Sequence, residues 1–186
     1  MRLWLSIVLV VAFAVGCGGA GAYGHAPNYA PIDPEVSAVA GAREYDAASA
    51  RVQGPEAWRK AVVLFGVVES RAAGPGGQAF LKLSVRRLEP RNQCSRDGDD
   101  DSCRVTVSER DAGTVWTLVS LRGDDDVGPF AVGQRSLVRI VGAIGQDVST
   151  TDGSPVVHAS WYRHFPPPQY LVARGLEESE RAKKAR

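Results

Sequence analysis

From Ala61 onward the chain alternates. Over Ala79–Leu88, Leu81, Leu83 and Val85 fall on one side and Phe80, Lys82, Ser84 and Arg86 on the other, the period-two pattern of a half-buried strand. Ala61–Ser70 (AVVLFGVVES) is a β-branched run with Gly66 in its middle, and a glycine inside a strand marks a bulge or bend. Gly74-Pro75-Gly76-Gly77 between these runs predicts a hairpin. Further strands are expected over Arg104–Ser108 (a minor one), Val115–Leu121, Ser136–Ile144 with Gly142 inside, and Val156–Phe165, which Pro166-Pro167-Pro168 stops. Short strands separated by turn signals predict an all-β domain over 56–168, either a small closed barrel or, as the alternative, a small β-sandwich.

The flanks read differently. Gly18 to Pro31 is mostly Gly, Ala and Pro with scattered polar residues and has too little apolar surface to bury, so 17–55 reads as a flexible tether carrying a short helix. That helix is expected between Pro34 and Arg51, with Asp33 as N-cap, Pro34 at the first helical position and Val36, Val39 and Ala40 on one face. Glu177 to Arg186 is almost all charged residues or Ala, so 169–186 reads as a solvated tail.

At the start, Arg2 precedes a run from Leu3 to Val15 that is almost wholly apolar and closes on Ala14-Val15-Gly16-Cys17. A positive start, an apolar stretch and a small-residue ending form an export signal. The run is also short of the roughly 20 residues that cross a bilayer. The ending resembles the lipobox of bacterial lipoproteins, although Ala14 stands where the family usually has Leu. The resemblance implies a signal peptide over 1–16, cleavage before Cys17, and a diacylglycerol on the Cys17 thiol that holds the protein to a membrane. Gly18 stands where an Asp would favour the inner membrane, which points to the outer membrane, facing the periplasm. The chain has three cysteines. With Cys17 acylated, Cys94 and Cys103 remain, and an even count in an oxidising compartment reads as a disulfide. A zinc site is disfavoured, since there is no C-x-x-C spacing and no nearby His.

The size and strand count of the β domain resemble the OB-fold, a five-stranded Greek-key barrel. So does Gly133-Gln134-Arg135-Ser136-Leu137-Val138-Arg139-Ile140-Val141-Gly142, which is similar to the fourth strand of many such domains. The absence of a helical pattern between Leu121 and Ser136 departs from that family. The resemblance implies a binding face on the second and third strands, here Phe80, Lys82, Ser84 and Arg86, with Trp116 on the neighbouring strand. An aromatic among cations suits an oligosaccharide or another polyanion. With 22 basic and 21 acidic residues, and Arg2 lost with the signal, the chain has no general attraction for nucleic acid. A glycan or protein of the envelope is the expected partner, alongside the membrane that takes the lipid.

No cofactor, metal or catalytic set is expected. Asp97, Asp99 and Asp101 alternate as calcium ligands do, but the twelfth position counted from Asp97 is Ser108 rather than Glu. Asp124-Asp125-Asp126 reads as a soluble turn. His158 and His164 fall on one side of the last strand, about 20 Å apart at 3.3 Å per residue, too far to act together. His158 with Ser160 lacks the G-x-S-x-G elbow and a third member of a triad. Trp58 and Trp161 are expected to plug one end of the barrel. The sequence therefore reads as a membrane-anchored envelope lipoprotein acting as a non-enzymatic binding or structural module. An OB-type ligand binder is the alternative, and an envelope hydrolase is disfavoured.

Overall fold

The computed structural model describes residues 26–53, 61–96, 99 and 102–173. The expected strands form: β2 (Val62–Ala73), β3 (Ala79–Arg86), β5 (Cys103–Ser108), β6 (Thr114–Val119), β7 (Leu137–Val148) and β8 (Pro155–Phe165). Three short ones join them: β1 (Arg43–Glu44), β4 (Gln93–Cys94) and β9 (Tyr170–Ala173). The main sheet runs β1-β2-β3-β6-β8-β7, and β7 pairs back onto β2. Closure excludes the sandwich. Counting only its five long strands, the barrel order is first, second, third, fifth, fourth and back to the first, with β6 and β8 parallel. This is the OB-like Greek-key barrel.

Alternation fills the barrel. Val62, Leu64, Val68, Leu81, Leu83, Val85, Val115, Val119, Val138, Ile140 and Val157 form its core, each under 4% exposed. Gly66 and Gly142 sit where strands approach too closely for a side chain. A Cβ at Gly66 would lie 2.8 Å from Leu83 Cβ, and one at Gly142 would run into the backbone of His158 and Ala159.

At Gly142 the β7–β8 register shifts: Val141 opposes Trp161, and Gly142 opposes Ala159. Ser160 is thus an extra residue in β8, and one extra residue reverses which face each later side chain meets. Ala159 and Tyr162 both pack on the core. Trp161 turns outward and is half-buried, so it does not plug the barrel, contrary to the expectation from simple alternation. Trp58 lies outside the described residues. The same reversal separates the two histidines: His158 is exposed, whereas His164 turns inward and is buried.

The segment expected to be a tether is packed from Ala26 onward. The single helix expected between Pro34 and Arg51 divides into α1 (Asp33–Val39) and α2 (Ala47–Gln53), with β1 between them. Gly41 has a φ of +76° and turns the chain at the break. The N-cap of α1 is Ile32 and makes no side-chain cap bond, rather than Asp33. In α2 the cap is Asp46, whose carboxylate accepts the N–H groups of Ala48 and Ser49.

Glu35 of α1 has no exposed surface. Its Oε1 meets Arg139 Nη1 at 2.7 Å and its Oε2 meets Arg163 Nη1 at 2.8 Å. The Tyr29 hydroxyl donates to Oε1 at 2.5 Å. Arg139 and Arg163 are cross-strand partners on the outer side of β7 and β8. Arg139 lies over the Tyr29 and Phe65 rings, and Arg163 over Tyr29 and Phe165. Burial, chiefly, pushes the Tyr29 phenol well above its ordinary range, with the Glu35 hydrogen bond acting in the same direction.

The same outer wall is covered further along by a second sheet, β4-β5-β9. Val105 and Val107 of β5 pack on Phe65, Leu137 and Phe165. Tyr170–Ala173, expected in a charged tail, instead pairs in parallel with β5 from Val105 to Ser108. Tyr170 packs on this second small core, where it adds to the burial of Phe65 and Phe165, whereas Leu171 and Val172 stay exposed.

Removing one member of a buried ion pair strands the other charge, at a cost of about 3–5 kcal/mol. Glu35→Ala is therefore expected to lower the urea unfolding free energy at neutral pH by about that amount. A loss below about 1 kcal/mol would show that the two arginines find other partners. Gly142→Ala should also destabilise the barrel by several kcal/mol, because the clash is with backbone.

Candidate binding face

β3 and β6 pair so that Lys82 opposes Trp116 and Phe80 opposes Leu118. Phe80, Lys82 and Trp116 therefore share the outer face of these strands, as the alternation requires. The Phe80 and Trp116 rings stack with centroids 4.5 Å apart and planes at 21°. Trp116 is 8% exposed, so Phe80 presents the outer ring and Trp116 backs it. The indole Nε1–H donates to both carboxylate oxygens of Asp152, at 3.1 and 3.3 Å.

Two carboxylates change the electrostatics that the sequence suggested. Lys82 Nζ lies 3.3 Å from Glu69 and 3.7 Å from Asp152. Its charge is thus matched within the protein, and the patch carries one cation against two anions. The backbone N–H of Ser154 is the main influence holding the Asp152 carboxyl below the usual carboxylate range, with smaller contributions from Trp116 and Lys82. Glu69 and Asp152 did not stand out in the sequence. Glu69 stands near the end of the Ala61–Ser70 run and Asp152 in the turn-forming stretch Asp152-Gly153-Ser154-Pro155, and only pairing brings them to Lys82.

Arg86 does not join this group. It lies six residues along β3 from Phe80, about 20 Å at strand rise. Its guanidinium donates to the backbone carbonyls of Ser108 and Glu109. Ser84, between Lys82 and Arg86, is buried and donates to Asp111 at 2.6 Å. The expected row of cations on β3 is therefore one matched lysine near the aromatics and one arginine committed to a loop.

Beside this face a cleft of about 550 Å³ opens between α2 and the β7–β8 hairpin. Its apolar lining includes Tyr45, Ala47, Ala50, Ile144 and Val148, and its charged lining is Asp111, Asp147 and Asp152. Asp152 belongs to both the face and the cleft. Among the described residues no group of three His, Cys, Asp or Glu converges as metal ligands.

At the opposite end of the barrel His164 links Asp125 and Ser136. Its Nδ1 lies 2.7 Å from Asp125 Oδ1, and its Nε2 lies 2.9 Å from Ser136 Oγ. A carboxylate can only accept, so Nδ1 donates to Asp125, and in the neutral imidazole this leaves Nε2 to accept from the serine hydroxyl. These are the contacts of an Asp-His-Ser triad, which the sequence did not suggest because Asp125, Ser136 and His164 lie far apart along it. Yet Ser136 is 3% exposed, and its Oγ also accepts the Gly133 N–H. The remaining Asp125 oxygen accepts from the Tyr162 hydroxyl, which itself accepts the Arg122 N–H. Burial, chiefly, pushes the Tyr162 phenol up to about 12. No substrate reaches a serine so enclosed. The network is a strut that fixes the loop 122–136 across the barrel end, where Arg71 also holds the carbonyls of Asp126 and Val132.

Cys94 and Cys103 form a disulfide and oppose each other in the β4–β5 pair. Cys17 lies outside the described residues, as do Asp97 and Asp101. Among the described residues no helix is long and apolar enough to cross a membrane.

No protein-family model matches the chain, and no curated relative does either. A crystal structure of a deletion variant of the single-stranded DNA-binding protein from Thermus aquaticus is similar over 58% of this chain and 51% of that one, at 16% identity and a TM-score of 0.29. The shared part is thus about half the length of that protein.

If His164 is a strut, His164→Ala should lower stability by about 1–3 kcal/mol, the cost of buried partners left unsatisfied. A serine-reactive fluorophosphonate should leave Ser136 unlabelled in the folded protein, as intact-mass spectrometry would read. Labelling at Ser136 would contradict the enclosed geometry.

Proposed function

We propose that this chain is a lipid-anchored protein of the bacterial envelope whose barrel is a non-enzymatic binding module working through the β3–β6 face. The observation that carries the reading is the unequal covering of the barrel. The outer wall of β2, β7 and β8 is closed by the chain's own arm and by the β4-β5-β9 sheet. The β3–β6 wall instead carries the Phe80–Trp116 stack beside an open cleft. A stacked aromatic pair with polar groups at its rim is a surface built for contact.

The envelope assignment rests on the signal-like start ending at Cys17 and on the disulfide between the two remaining cysteines. Acylation of Cys17 would tie the barrel closely to the bilayer. Cys17 and Ala26 are nine positions apart, a reach of at most about 30 Å. Gly18 favours the outer membrane, facing the periplasm. The expected partner is a protein or glycan of that compartment. A phosphate backbone is disfavoured because Lys82 is already matched and Arg86 is held away.

Cys17→Ser is expected to move the protein from the membrane to the soluble fraction of lysed cells. Unchanged membrane fractionation would remove the anchor. Crosslinking in intact cells should capture a partner with the native chain and lose it with Phe80→Ala, while circular dichroism of that variant stays native. Capture unaffected by Phe80→Ala would move the binding face elsewhere.

A further inference from the structure

We infer that the cleft beside the aromatic pair receives a basic peptide segment, its lysine or arginine stem lying on the apolar wall and its charged head meeting Asp147 and Asp152. This deepens the reading above and rests on it, since it takes the β3–β6 end of the barrel as the binding end and specifies what binds there.

Size is the first argument. A volume of about 550 Å³ lies within the range of roughly 300–1,000 Å³ typical of ligand sites. Charge is the second. Asp111, Asp147 and Asp152 line the cleft, and among the described residues no Lys or Arg does. Lys82 faces Asp152 from β3 and is shared with Glu69. His158 on β8 approaches Asp147 at 3.7 Å. Asp111 accepts from the Ser84 hydroxyl and the Gly113 N–H, and Asp152 from Trp116 and Ser154. All four donors are neutral, so they orient the carboxylates without cancelling their charge, and each carboxylate keeps unfilled acceptor sites.

Shape is the third argument, and it separates a peptide from a bare cation. The carboxylates do not converge as metal ligands. They stand at the rim of a wall made by Ala47, Ala50, Ile144 and Val148, and Val148 is 61% exposed. Lysine and arginine have this division, an apolar stem with a charged head. Asp152, held below the usual carboxylate range chiefly by the Ser154 N–H, keeps its charge at neutral pH, so its share of the attraction should fade only as the pH falls through the carboxylate range.

The test uses the purified full chain and fluorescence anisotropy with a short labelled peptide rich in lysine and leucine, its glutamate counterpart, and spermidine as a competitor. The basic peptide should bind and the acidic one should not, with affinity falling as salt rises. Asp147→Asn should weaken binding, and Asp147→Asn with Asp152→Asn should weaken it by about tenfold or more. Asp147 is largely exposed, and Asn at 152 can still accept from Trp116, so both variants should fold, as circular dichroism would verify. Equal binding of the two peptides, or unchanged affinity in the folded double variant, would overturn the inference. Spermidine competing as tightly as the peptide would make this a site for small cations and overturn the peptide assignment. If crosslinking in cells still depends on Phe80 while the basic peptide fails to bind, this inference falls and the reading it rests on stands. If the crosslink itself does not depend on Phe80, that reading falls.

Discussion

A carboxylate with no contact with water is tolerated only when its charge is met on every side. Glu35 is met by Arg139, Arg163 and Tyr29, and much of the molecule's arrangement follows. The arginines must be neighbours, which requires β7 and β8 to pair in the observed register. Their own charges must be screened from the apolar wall, which the rings of Phe65, Phe165 and Tyr29 do. The arm from Ala26 to Val39 must then cross the outside of the barrel rather than extend from it. Replacing the group with apolar residues could be as stable. What the charged version adds is a single position for the arm.

Pinning the arm gives the barrel two unlike sides. One carries a second layer, with its own aromatic core and a disulfide at its edge. The other is one sheet thick and presents Phe80, backed by the buried Trp116. The close strand approach at Gly66, the register shift between Val68 and Ser70, and the one at Gly142 let five strands close this tightly. The Asp125–His164–Ser136 strut holds down the loop that stands where OB-type domains usually place a helix. Catalytic-looking distances there come from the need to satisfy buried polar groups, which is the same requirement that shapes the Glu35 cluster.

Much of this was legible in the sequence because it is local. Alternation in Ala79–Leu88 gave the inward face of β3 correctly, and Cys94 and Cys103 were paired by parity. The count and spacing of strands led to the closed barrel. What failed was non-local. Gly-, Ala- and Pro-rich composition made 17–55 look like a tether, because nothing near Glu35 announces partners more than a hundred residues away. Tyr170–Ala173 looked like a tail for the same reason. One unforeseen residue, Ser160, reversed the faces of Trp161 and His164. At the candidate site, Phe80, Lys82 and Trp116 were placed together, whereas Glu69 and Asp152 were invisible until pairing brought them to Lys82. With them the expected polyanion face became nearly its electrostatic opposite.

The Glu35–Arg163 contact spans 128 positions, and this has a consequence for how the chain acquires its form. A polypeptide emerging from its N-terminus presents the acid long before either guanidinium exists. The arm must therefore wait, solvated, until β7 and β8 have been made and joined. Contacts of such separation are slow to form because a large loop has to close first. The barrel should accordingly assemble before its outer layer, with β9 docking last. In the interval the aromatic wall of Phe65 and Phe165 is bare, and that is the stage at which a nascent chain would most need shielding from its neighbours.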